Sequence, residues 1–335
     1  MNVLGIETSC DETAAAVVKD GKSILSSVVS SSLKYHTKYG GVIPEIAFRM
    51  QLETITQVSD AALRNANLKL DKIGLVSVTS GPGLLGSLLV GISFAKALSL
   101  AKNIPLNSVN HLYGHIYASF LDKSPVALPF VSLVVSGGHT SLFYVKDFDK
   151  ISLLGSTHDD ACGEAFDKVA KILGLGYPGG PIIEKFARGG NPKKIRFKCS
   201  DTNNPLDFSF SGIKTAVLYY LQDELRKNKK AKKPSLNLMR DIAASFQEAA
   251  VKTLINKSLL ACKLKGIRRL VVGGGVAANN RLRDQFYDLA KASRAQVYFP
   301  DKALCMDNAA MVAGLGYRLF KKGHISSLDL NVALA

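Results

Sequence analysis

The chain has 335 residues, of which 47% are hydrophobic and 21% are charged, and its formal net charge is +16. This length exceeds a single small core, and the composition excludes an intrinsically disordered protein. The positive charge is typical of a protein that binds a polyanion, above all nucleic acid, although a generally basic composition would explain it equally well.

Cysteine usage and the first residues indicate where the protein works. The five cysteines are scattered and form no C-x-x-C pair, which predicts a reducing compartment without a disulfide framework or a cysteine zinc site. The chain begins with an apolar strand and shows no basic n-region or cleavage site. The apolar run 84–101 contains Lys96 and several Ser and Gly, so we interpret it as a buried helix. We therefore expect a cytoplasmic protein that uses no membrane.

Strands and helices alternate in the first third of the chain. Strands are predicted at five places: 3–7, 13–18, 24–29, 73–79 and 104–110. Asp20-Gly21 is typical of the tight turn that joins two antiparallel strands. Apolar residues at helical spacing predict one helix from Pro44 to about Asn65, and a second helix occupies the apolar run 84–101.

The second part of the chain repeats this order. Strands are predicted over 130–135, 141–145, 151–155, 269–272 and 296–299, and helices near 160–173, 181–188, 211–227 and 239–265. Two more helices are expected to begin near Asn279 and Asp307. Because a strand, a polar turn, a returning strand and a third strand occur twice, we predict a duplicated α/β fold with two lobes around a cleft. The predicted lobes are 1–120 with 301–335, and 121–300.

Two histidines stand four residues apart where a helix is expected to begin. His111 and His115 therefore share one helix face, with Cβ atoms about 5–6 Å apart, and one divalent metal could take both imidazoles. Chance is the more frequent explanation of such spacing. A zinc protease of the H-E-x-x-H type needs a glutamate beside the first histidine, where this chain has Leu112, so metalloendopeptidase chemistry is disfavoured.

Asp307 is a candidate third ligand. It is predicted to open the last helix as its N-cap, which is ordinarily a structural role. Two histidines and one carboxylate suit Fe(II) or Zn and leave coordination positions open for a substrate. Spacing alone does not connect Asp307 with His111.

Glycine-rich stretches suggest a nucleotide site of an unusual kind. Gly81 to Gly86 matches G-x-G-x-x-G, but no Asp or Glu follows as far as Leu121, so we exclude a dinucleotide site and expect close backbone approach there. The turns 8–12, 136–140 and 273–275 are better candidates for anion cradles, since bare backbone N–H groups can face a phosphate. Any one of them is commonly just a turn, but three together favour a nucleotide.

A lysine-rich run lies between two of the predicted helices, from Arg226 to Pro234. A run of like charge is usually a solvated loop, and contact with phosphates is the alternative.

Nine stretches of the chain are typical of one family. In chain order they are Gly5-Ile-Glu-Thr-Ser-Cys-Asp-Glu-Thr13, Tyr39-Gly-Gly-Val-Ile-Pro-Glu45, Gly81-Pro-Gly83, Val135-Ser-Gly-Gly-His-Thr140, Gly163-Glu-Ala-Phe-Asp-Lys168, Gly176-Tyr-Pro-Gly-Gly-Pro181, Leu206-Asp-Phe-Ser-Phe-Ser-Gly-Ile-Lys-Thr215, Gly274-Gly-Val-Ala-Ala-Asn279 and Asp307-Asn-Ala-Ala-Met311. On these motifs the chain resembles the bacterial TsaD family of tRNA threonylcarbamoyladenosine transferases, from about residue 3 to 321. It departs from the family's usual pattern at Tyr113, where glutamate is common, and at Met306, where threonine is common.

The resemblance implies an actin-like (ASKHA) α/β fold with a nucleotide and metal cleft, of the actin/hexokinase/sugar-kinase superfamily. It implies transfer of threonylcarbamoyl from threonylcarbamoyl-AMP to the exocyclic amine of adenosine-37 in tRNAs that read ANN codons. The implied partners are tRNA and proteins like TsaB and the ATPase TsaE, and a separate synthase supplies the adenylate.

The resemblance also implies which residues form the site. By position, His111, His115 and Asp307 match the metal ligands, with Fe2+ favoured and Zn2+ possible. The residues that match contacts to the adenylate are Val134, Val135, Ser136, Gly137, Gly138, Asp167, Gly180, Glu184 and Asn279. Asp11 and Glu12, in the first polar turn, are candidates to accept the proton of the amine or to shape the cleft.

Three other functions compete with this one. A small-molecule kinase or ATPase of the same fold should turn over ATP without tRNA. A metalloendopeptidase is disfavoured by the missing glutamate. A non-catalytic scaffold like TsaB should lack the metal ligands, and this sequence has all three.

Overall fold

The computed structural model describes residues 1–121, 126–227 and 233–333. The strands are β1 (Asn2–Glu7), β2 (Glu12–Lys19), β3 (Ser23–Ser31), β4 (Leu75–Gly81), β5 (Leu106–Asn110), β6 (Phe130–Val135), β7 (Thr140–Asp147), β8 (Lys150–Ser156), β9 (Arg269–Gly273) and β10 (Gln296–Tyr298). The α-helices are α1 (Leu33–His36), α2 (Pro44–Asn65), α3 (Leu85–Lys102), α4 (His111–Tyr117), α5 (Cys162–Ile172), α6 (Gly179–Ala187), α7 (Ser211–Lys227), α8 (Leu236–Lys265), α9 (Asn280–Ser293) and α10 (Ala309–Phe320).

The chain forms two compact units. Unit 1 consists of Met1–Val126, Asp147–Lys150 and Pro300–Ala335, and unit 2 consists of Ala127–Lys146 and Ile151–Phe299. Each unit has its own five-stranded sheet and its own buried core.

The two sheets repeat one topology, as the sequence predicted. In unit 1 the order is β3-β2-β1-β4-β5, and in unit 2 it is β10-β9-β6-β7-β8, which is the same arrangement. In unit 1 β1 pairs antiparallel with β2 and parallel with β4; in unit 2 β6 pairs antiparallel with β7 and parallel with β9. The hairpin turn of unit 1 has the predicted geometry, with φ values of 53° at Asp20 and 68° at Gly21.

Alternation along β1 assigns its side chains to two faces of the unit 1 sheet. Leu4 and Ile6 belong to the cluster that packs beneath α2 and α3. Gly5 faces α10 on the other side, where a Cβ would stand 2.2 Å from the carbonyl oxygen of Ala309. Glycine therefore lets α10 approach the central strand, and Glu7 points to the same face two residues later.

We expect Gly5→Ala to lower the free energy of unfolding by about 3 kcal/mol, because its methyl group would have to displace the backbone of α10. Thermal or urea unfolding measures the loss. Gly41→Ala is the matched control, since a Cβ at Gly41 would meet nothing within 4 Å. Equal unfolding midpoints for the two variants would contradict this account of the α10 contact.

The apolar helix α3 is long and apolar enough to cross a membrane by length and composition. Val90, Ile92 and Ala95 nevertheless pack into the core of unit 1. Its other side is open, since Leu85 is 54% and Leu100 is 71% exposed. The predicted buried helix is thus buried along one face only.

Unit 2 is organised by α8, a helix of 30 residues. Ser235 caps its start by accepting a hydrogen bond from the N–H of Leu238, and Gly266 ends it with a φ of 64°. The Phe246 ring packs against Phe166 of α5 with a centroid distance of 4.9 Å. Helix α7 has the predicted bounds, so Arg226 and Lys227 form its last turn. Residues 228–232 of the basic run lie outside the described residues.

Candidate functional site

Helix α4 presents the two histidines directly at the end of a buried strand. Asn110, the last residue of β5, accepts hydrogen bonds from the N–H groups of Leu112 and Tyr113, so the helix begins at His111. His111 is 5% exposed and His115 is fully buried. Their ring centroids lie 4.7 Å apart with an angle of 78° between the planes.

Asp307 is the third member of the cluster, and its carboxylate is available for this role since it does not cap α10. Asn308 is the N-cap, since its side chain accepts a hydrogen bond from the N–H of Met311, so the prediction that Asp307 opens the helix is wrong. The Asp307 carboxylate points to the histidines, with Oδ1 3.6 Å from Nε2 of His111 and 3.1 Å from Nε2 of His115. One ligand atom from each of the three residues lies within 4.8 Å of the others.

The burial of His115 and its lack of hydrogen bonds indicate that this cluster fits a cation. Its ring is fully buried, yet the Asp307 carboxylate beside Nε2 does not have hydrogen-bond geometry, and Nδ1 has no hydrogen-bond partner among the described residues. A buried polar group without a partner is costly, and metal coordination would satisfy it. Two imidazoles and one carboxylate are a donor set that suits Fe(II) or Zn(II).

Glu7, which the sequence analysis did not select, orients His111. Its Oε2 lies 3.1 Å from Nδ1 of His111 and accepts a hydrogen bond from the Thr79 hydroxyl, while Oε1 accepts one from the N–H of Ser9. Glu7 and the Ser9 hydroxyl, 3.0 Å from the same nitrogen, hold the ring by Nδ1, so that Nε2 points to Asp307, as is usual for metal-binding histidines. The available sequence signal was an acidic residue that ends an otherwise apolar strand.

Acidic groups give this part of unit 1 a strongly negative character. Burial opposes a charge on His111, but the carboxylates of Asp307 and Glu7 outweigh it and raise the pKa of His111 to about 9. Burial and the charges of Asp307 and Asp11 raise the pKa of Glu12 to about 10. Burial is the largest cause of the Glu12 shift, and in both groups the neighbouring carboxylates favour the protonated form, as they would favour a bound cation.

Side chains of α2 and α3 fix the turn that carries Asp11 and Glu12 through hydrogen bonds. The Gln51 amide donates hydrogen bonds of 2.9 Å to the carbonyl oxygens of Cys10 and Glu12. The Ser87 hydroxyl donates a third bond, to the carbonyl oxygen of Cys10. The structure therefore places both acidic residues on a fixed turn, and polar helix residues that no motif indicated provide the anchors.

The glycines of the G-x-G-x-x-G stretch serve close packing, as predicted. A Cβ on Gly83 would stand 2.4 Å from the carbonyl oxygen of Ser9, and one on Gly86 would stand 2.9 Å from the Phe48 ring. The first contact brings the stretch before α3 against the turn 8–12, and the second brings α3 against α2.

In unit 2 a polar turn follows β6 and exposes bare backbone. Val134 and Val135 are fully buried at the end of the strand. The N–H of Ser136 donates to the carbonyl oxygen of His139, which closes the turn. Neither Gly137 nor Gly138 would place a Cβ within 4 Å of a described atom, so their backbone borders open space. This arrangement leaves room for an anion, as expected of a cradle.

Asp167 and Gly180 meet where α6 begins. The Asp167 carboxylate accepts a 2.6 Å hydrogen bond from the N–H of Gly179, and Gly180 also borders open space. Burial raises the pKa of Asp167 to about 6, although the N–H groups of Gly179 and Gly180 oppose the shift. One turn further along α6, Glu184 accepts a close hydrogen bond from the Asn280 amide.

Asn279 has structural contacts at both ends of its amide. Its nitrogen donates to the Gln247 side chain at 2.9 Å, and its oxygen accepts from the N–H of Leu282 in the first turn of α9. A 3-10 turn over Gly275–Ala278 separates the preceding glycines from α9, which begins at Asn280, next to the predicted start near Asn279. Gly274 instead packs against the carbonyl oxygen of Val135.

The raised pKa of Asp167 predicts a pH dependence of stability. Since that pKa lies above the usual 3.8, the folded chain retains a proton that the unfolded chain has released between about pH 4 and pH 6. The contribution of this group to the free energy of unfolding therefore falls as pH rises through that window, by roughly 3 kcal/mol. Asp167→Asn lacks this titration, so we expect the variant to gain stability relative to the wild type from pH 4 to pH 6.

Urea unfolding at both pH values measures this difference, with Asp288→Asn, an exposed aspartate of unit 2, as the control. A stability difference between Asp167→Asn and the wild type that stays constant with pH would contradict the prediction.

Comparison with solved structures supports the fold. HypF in its phosphate- and nucleotide-bound form has a TM-score of 0.63 at 14% identity, covering 97% of this chain and 56% of HypF. Component A of the Acidaminococcus fermentans (R)-2-hydroxyglutaryl-CoA dehydratase has a TM-score of 0.55 at 15% identity, covering 95% and 98%. At these identities the likeness concerns the fold alone, and it confirms the duplicated actin-like architecture.

Comparison with sequences is more specific. The family model of TsaD, described as tRNA N6-adenosine threonylcarbamoyltransferase, matches residues 23–314. A protein of that name from Clostridium kluyveri is 49% identical over 333 residues, which cover 99% of this chain and 96% of the relative. Another, from Kosmotoga olearia, is 50% identical over 331 residues, covering 99% and 97%. The chain therefore belongs to the TsaD family of tRNA N6-adenosine threonylcarbamoyltransferases.

Proposed function

We propose that this chain transfers the threonylcarbamoyl group of threonylcarbamoyl-AMP to the exocyclic amine of adenosine-37 in tRNAs that read ANN codons. Membership of the TsaD family supports the reaction class, and the net charge of +16 supports a polyanionic substrate. The observation that carries the proposal is the cluster of buried His111 and His115 with partly exposed Asp307 in a chain of this family.

The cluster would hold one divalent metal, with Fe2+ favoured over Zn2+. A metal bound there would orient and polarise oxygens of the threonylcarbamoyl group. Glu7 keeps His111 in a fixed orientation through its contact with Nδ1. The low exposure of both imidazoles keeps competing water away from the ligands.

Residues of unit 2 are proposed to bind the adenylate. The open backbone at Gly137, Gly138 and Gly180 supports contacts to its phosphate and sugar. The other proposed contacts are Val134, Val135, Ser136, Asp167, Glu184 and Asn279. Two of these, Glu184 and Asn279, already have partners within unit 2, which fix their side chains.

The reaction depends more on placing the amine against the carbamoyl carbon than on chemically activating either reactant. The amine nitrogen forms a bond to the carbamoyl carbon, the bond from that carbon to the phosphate oxygen breaks, and AMP leaves. The amine releases one proton, and the proposed roles of Asp11 and Glu12 are to accept it or to shape the site; with a pKa raised to about 10, Glu12 can accept it only after losing its own proton. AMP is a good leaving group, so ordering the two reactants supplies the larger share, up to about 7–11 kcal/mol.

We further propose that TsaB-like and TsaE-like proteins assemble with the chain in the cytoplasm. The TsaD assignment supports this expectation.

The test is transfer by the full chain loaded with Fe2+ and given threonylcarbamoyl-AMP and a tRNA that reads an ANN codon. We expect threonylcarbamoyladenosine in the digested tRNA, and none when guanosine replaces adenosine-37. Adding the TsaB-like and TsaE-like proteins tests whether turnover needs them. Steady ATP hydrolysis without tRNA, together with unmodified adenosine, would contradict the proposal and favour a kinase or ATPase.

A further inference from the structure

An exposed segment of unit 1 repeats a lysine followed by a tyrosine. It runs from Leu33 to Tyr39, as α1 and the short 3-10 turn after it, and contains Lys34-Tyr35 and Lys38-Tyr39. Tyr35 is 43% and Tyr39 is 50% exposed, whereas the aromatic rings of a folded protein usually lie mostly buried in its core. We call the residues from Leu33 to Tyr39 the Lys-Tyr segment.

Each lysine of the Lys-Tyr segment lies against the ring that follows it. The ammonium nitrogen stands 4.8 Å from the ring centroid in both pairs, Lys34 with Tyr35 and Lys38 with Tyr39. Neither lysine makes an ion pair with a described carboxylate. No acidic residue occurs between Asp20 and Glu45, so the segment is locally cationic.

The segment is anchored to the turn that carries Asp11 and Glu12. Ser32, the residue before α1, donates from its hydroxyl and its N–H to the carbonyl oxygen of Asp11, at 2.8 and 3.1 Å. His36 is fully buried between Ser32 and the N–H of Ile43, which fixes the base of the segment. The two tyrosines are thus three and seven residues from an anchor on this turn.

Exposed aromatic rings beside unpaired lysines are suited to single-stranded RNA. Bases that are not paired in a helix stack on tyrosine rings, and lysines neutralise the phosphates between them. Adenosine-37 belongs to the anticodon loop, so its neighbours are unpaired bases of this kind.

We propose that the Lys-Tyr segment binds the unpaired loop nucleotides that flank the target adenosine, with Tyr35 and Tyr39 as stacking surfaces and Lys34 and Lys38 as phosphate contacts. The inference rests on the proposed function, because it assigns to that reaction a binding surface for the RNA. A protein partner on the same surface is the alternative that the experiment separates.

The experiment measures the affinity of the full chain for an RNA stem-loop with the anticodon-loop sequence, and for a blunt RNA duplex of equal length. The double variant Tyr35→Ala/Tyr39→Ala should bind the stem-loop about 5- to 150-fold more weakly for each lost stack. Its affinity for the duplex should stay within about twofold of the wild type. Tyr35→Phe/Tyr39→Phe should retain stem-loop affinity, because phenylalanine stacks without the hydroxyl group.

The matched control is Tyr219→Ala/Tyr287→Ala, which removes two exposed tyrosines of unit 2. It should bind the stem-loop like the wild type. Lys34→Gln/Lys38→Gln should reduce the slope of log K against log salt by roughly 1.4, at about 0.7 for each phosphate contact. Metal content and thermal melting of every variant establish that the variants are folded.

Wild-type affinity in Tyr35→Ala/Tyr39→Ala, an equal loss in the Tyr219/Tyr287 control, or an equal loss in the phenylalanine variant would overturn the inference. Wild-type affinity in the alanine variant would instead favour a protein partner on this surface. Transfer assays keep the two proposals apart. If the wild type modifies no tRNA, the proposed function fails. If it modifies tRNA and the alanine variant has the same KM for tRNA, only this inference fails.

Discussion

Replacing His115 with alanine is expected to abolish stoichiometric metal binding and to lower threonylcarbamoyl transfer at least about 100-fold. His115 is fully buried, and apart from the Asp307 carboxylate beside Nε2 no described residue meets its ring nitrogens, which is the condition expected of a metal ligand. Loss of a ligand exceeds the 10- to 100-fold cost typical of changing a residue that merely supports one. Metal analysis of purified protein and a transfer assay give the two values.

Two variants make the His115 result interpretable. Asp307→Asn keeps the shape of the third ligand and removes its charge, so it should lose metal in the same way. His324→Ala changes an exposed histidine of unit 1 and should keep both metal and activity. If His111→Ala and His115→Ala both retained metal and transfer activity, the proposed metal site would be wrong.

Replacing Glu7 with glutamine is expected to weaken metal binding about 10- to 100-fold while the chain remains folded. The neutral amide still fits beside His111 and Thr79, but it no longer attracts the proton to Nδ1 of His111 as a carboxylate does. Nε2 is then less consistently available to a metal. Competition with a chelator measures the affinity, and thermal melting reports on the fold.

The control for Glu7 makes the same chemical change at an exposed site. Glu45 pairs with Arg49 on the surface of α2, and both side chains are more than 60% exposed. We expect Glu45→Gln to leave metal affinity unchanged, since exposed ion pairs contribute little. Equal affinities in the Glu7→Gln variant and the wild type would show that Glu7 does not support His111.

The sequence by itself determined the elements and the family. Apolar periodicity located α2 and β6 with their observed bounds, and the repeated order of strands predicted the duplicated topology. These features are local, because alternation and helical spacing are set within a few residues. The motif resemblance identified the same family that the sequence comparisons show.

Sequence spacing did not join Asp307 to the histidines; the family resemblance implied the link, and the tertiary structure brings the three side chains together. Nearly 200 residues separate them, and no periodicity relates positions so far apart. The local rule for helix starts even assigned Asp307 the wrong role, because an acidic residue before an apolar helix is usually its cap. Asn308 caps α10, so the Asp307 carboxylate points to His111 and His115.

The tertiary structure also decided which residues support the site. Glu7 and Gln51 act through contacts with residues 104 and about 40 positions away. Their burial follows from the approach of α10 to β1 at Gly5 and from the packing of α2 beside the turn 8–12. The role of a carboxylate or an amide depends on the group with which it forms a hydrogen bond, and the fold brings that group from a distant part of the chain. For this physical reason sequence patterns did not reveal these two residues.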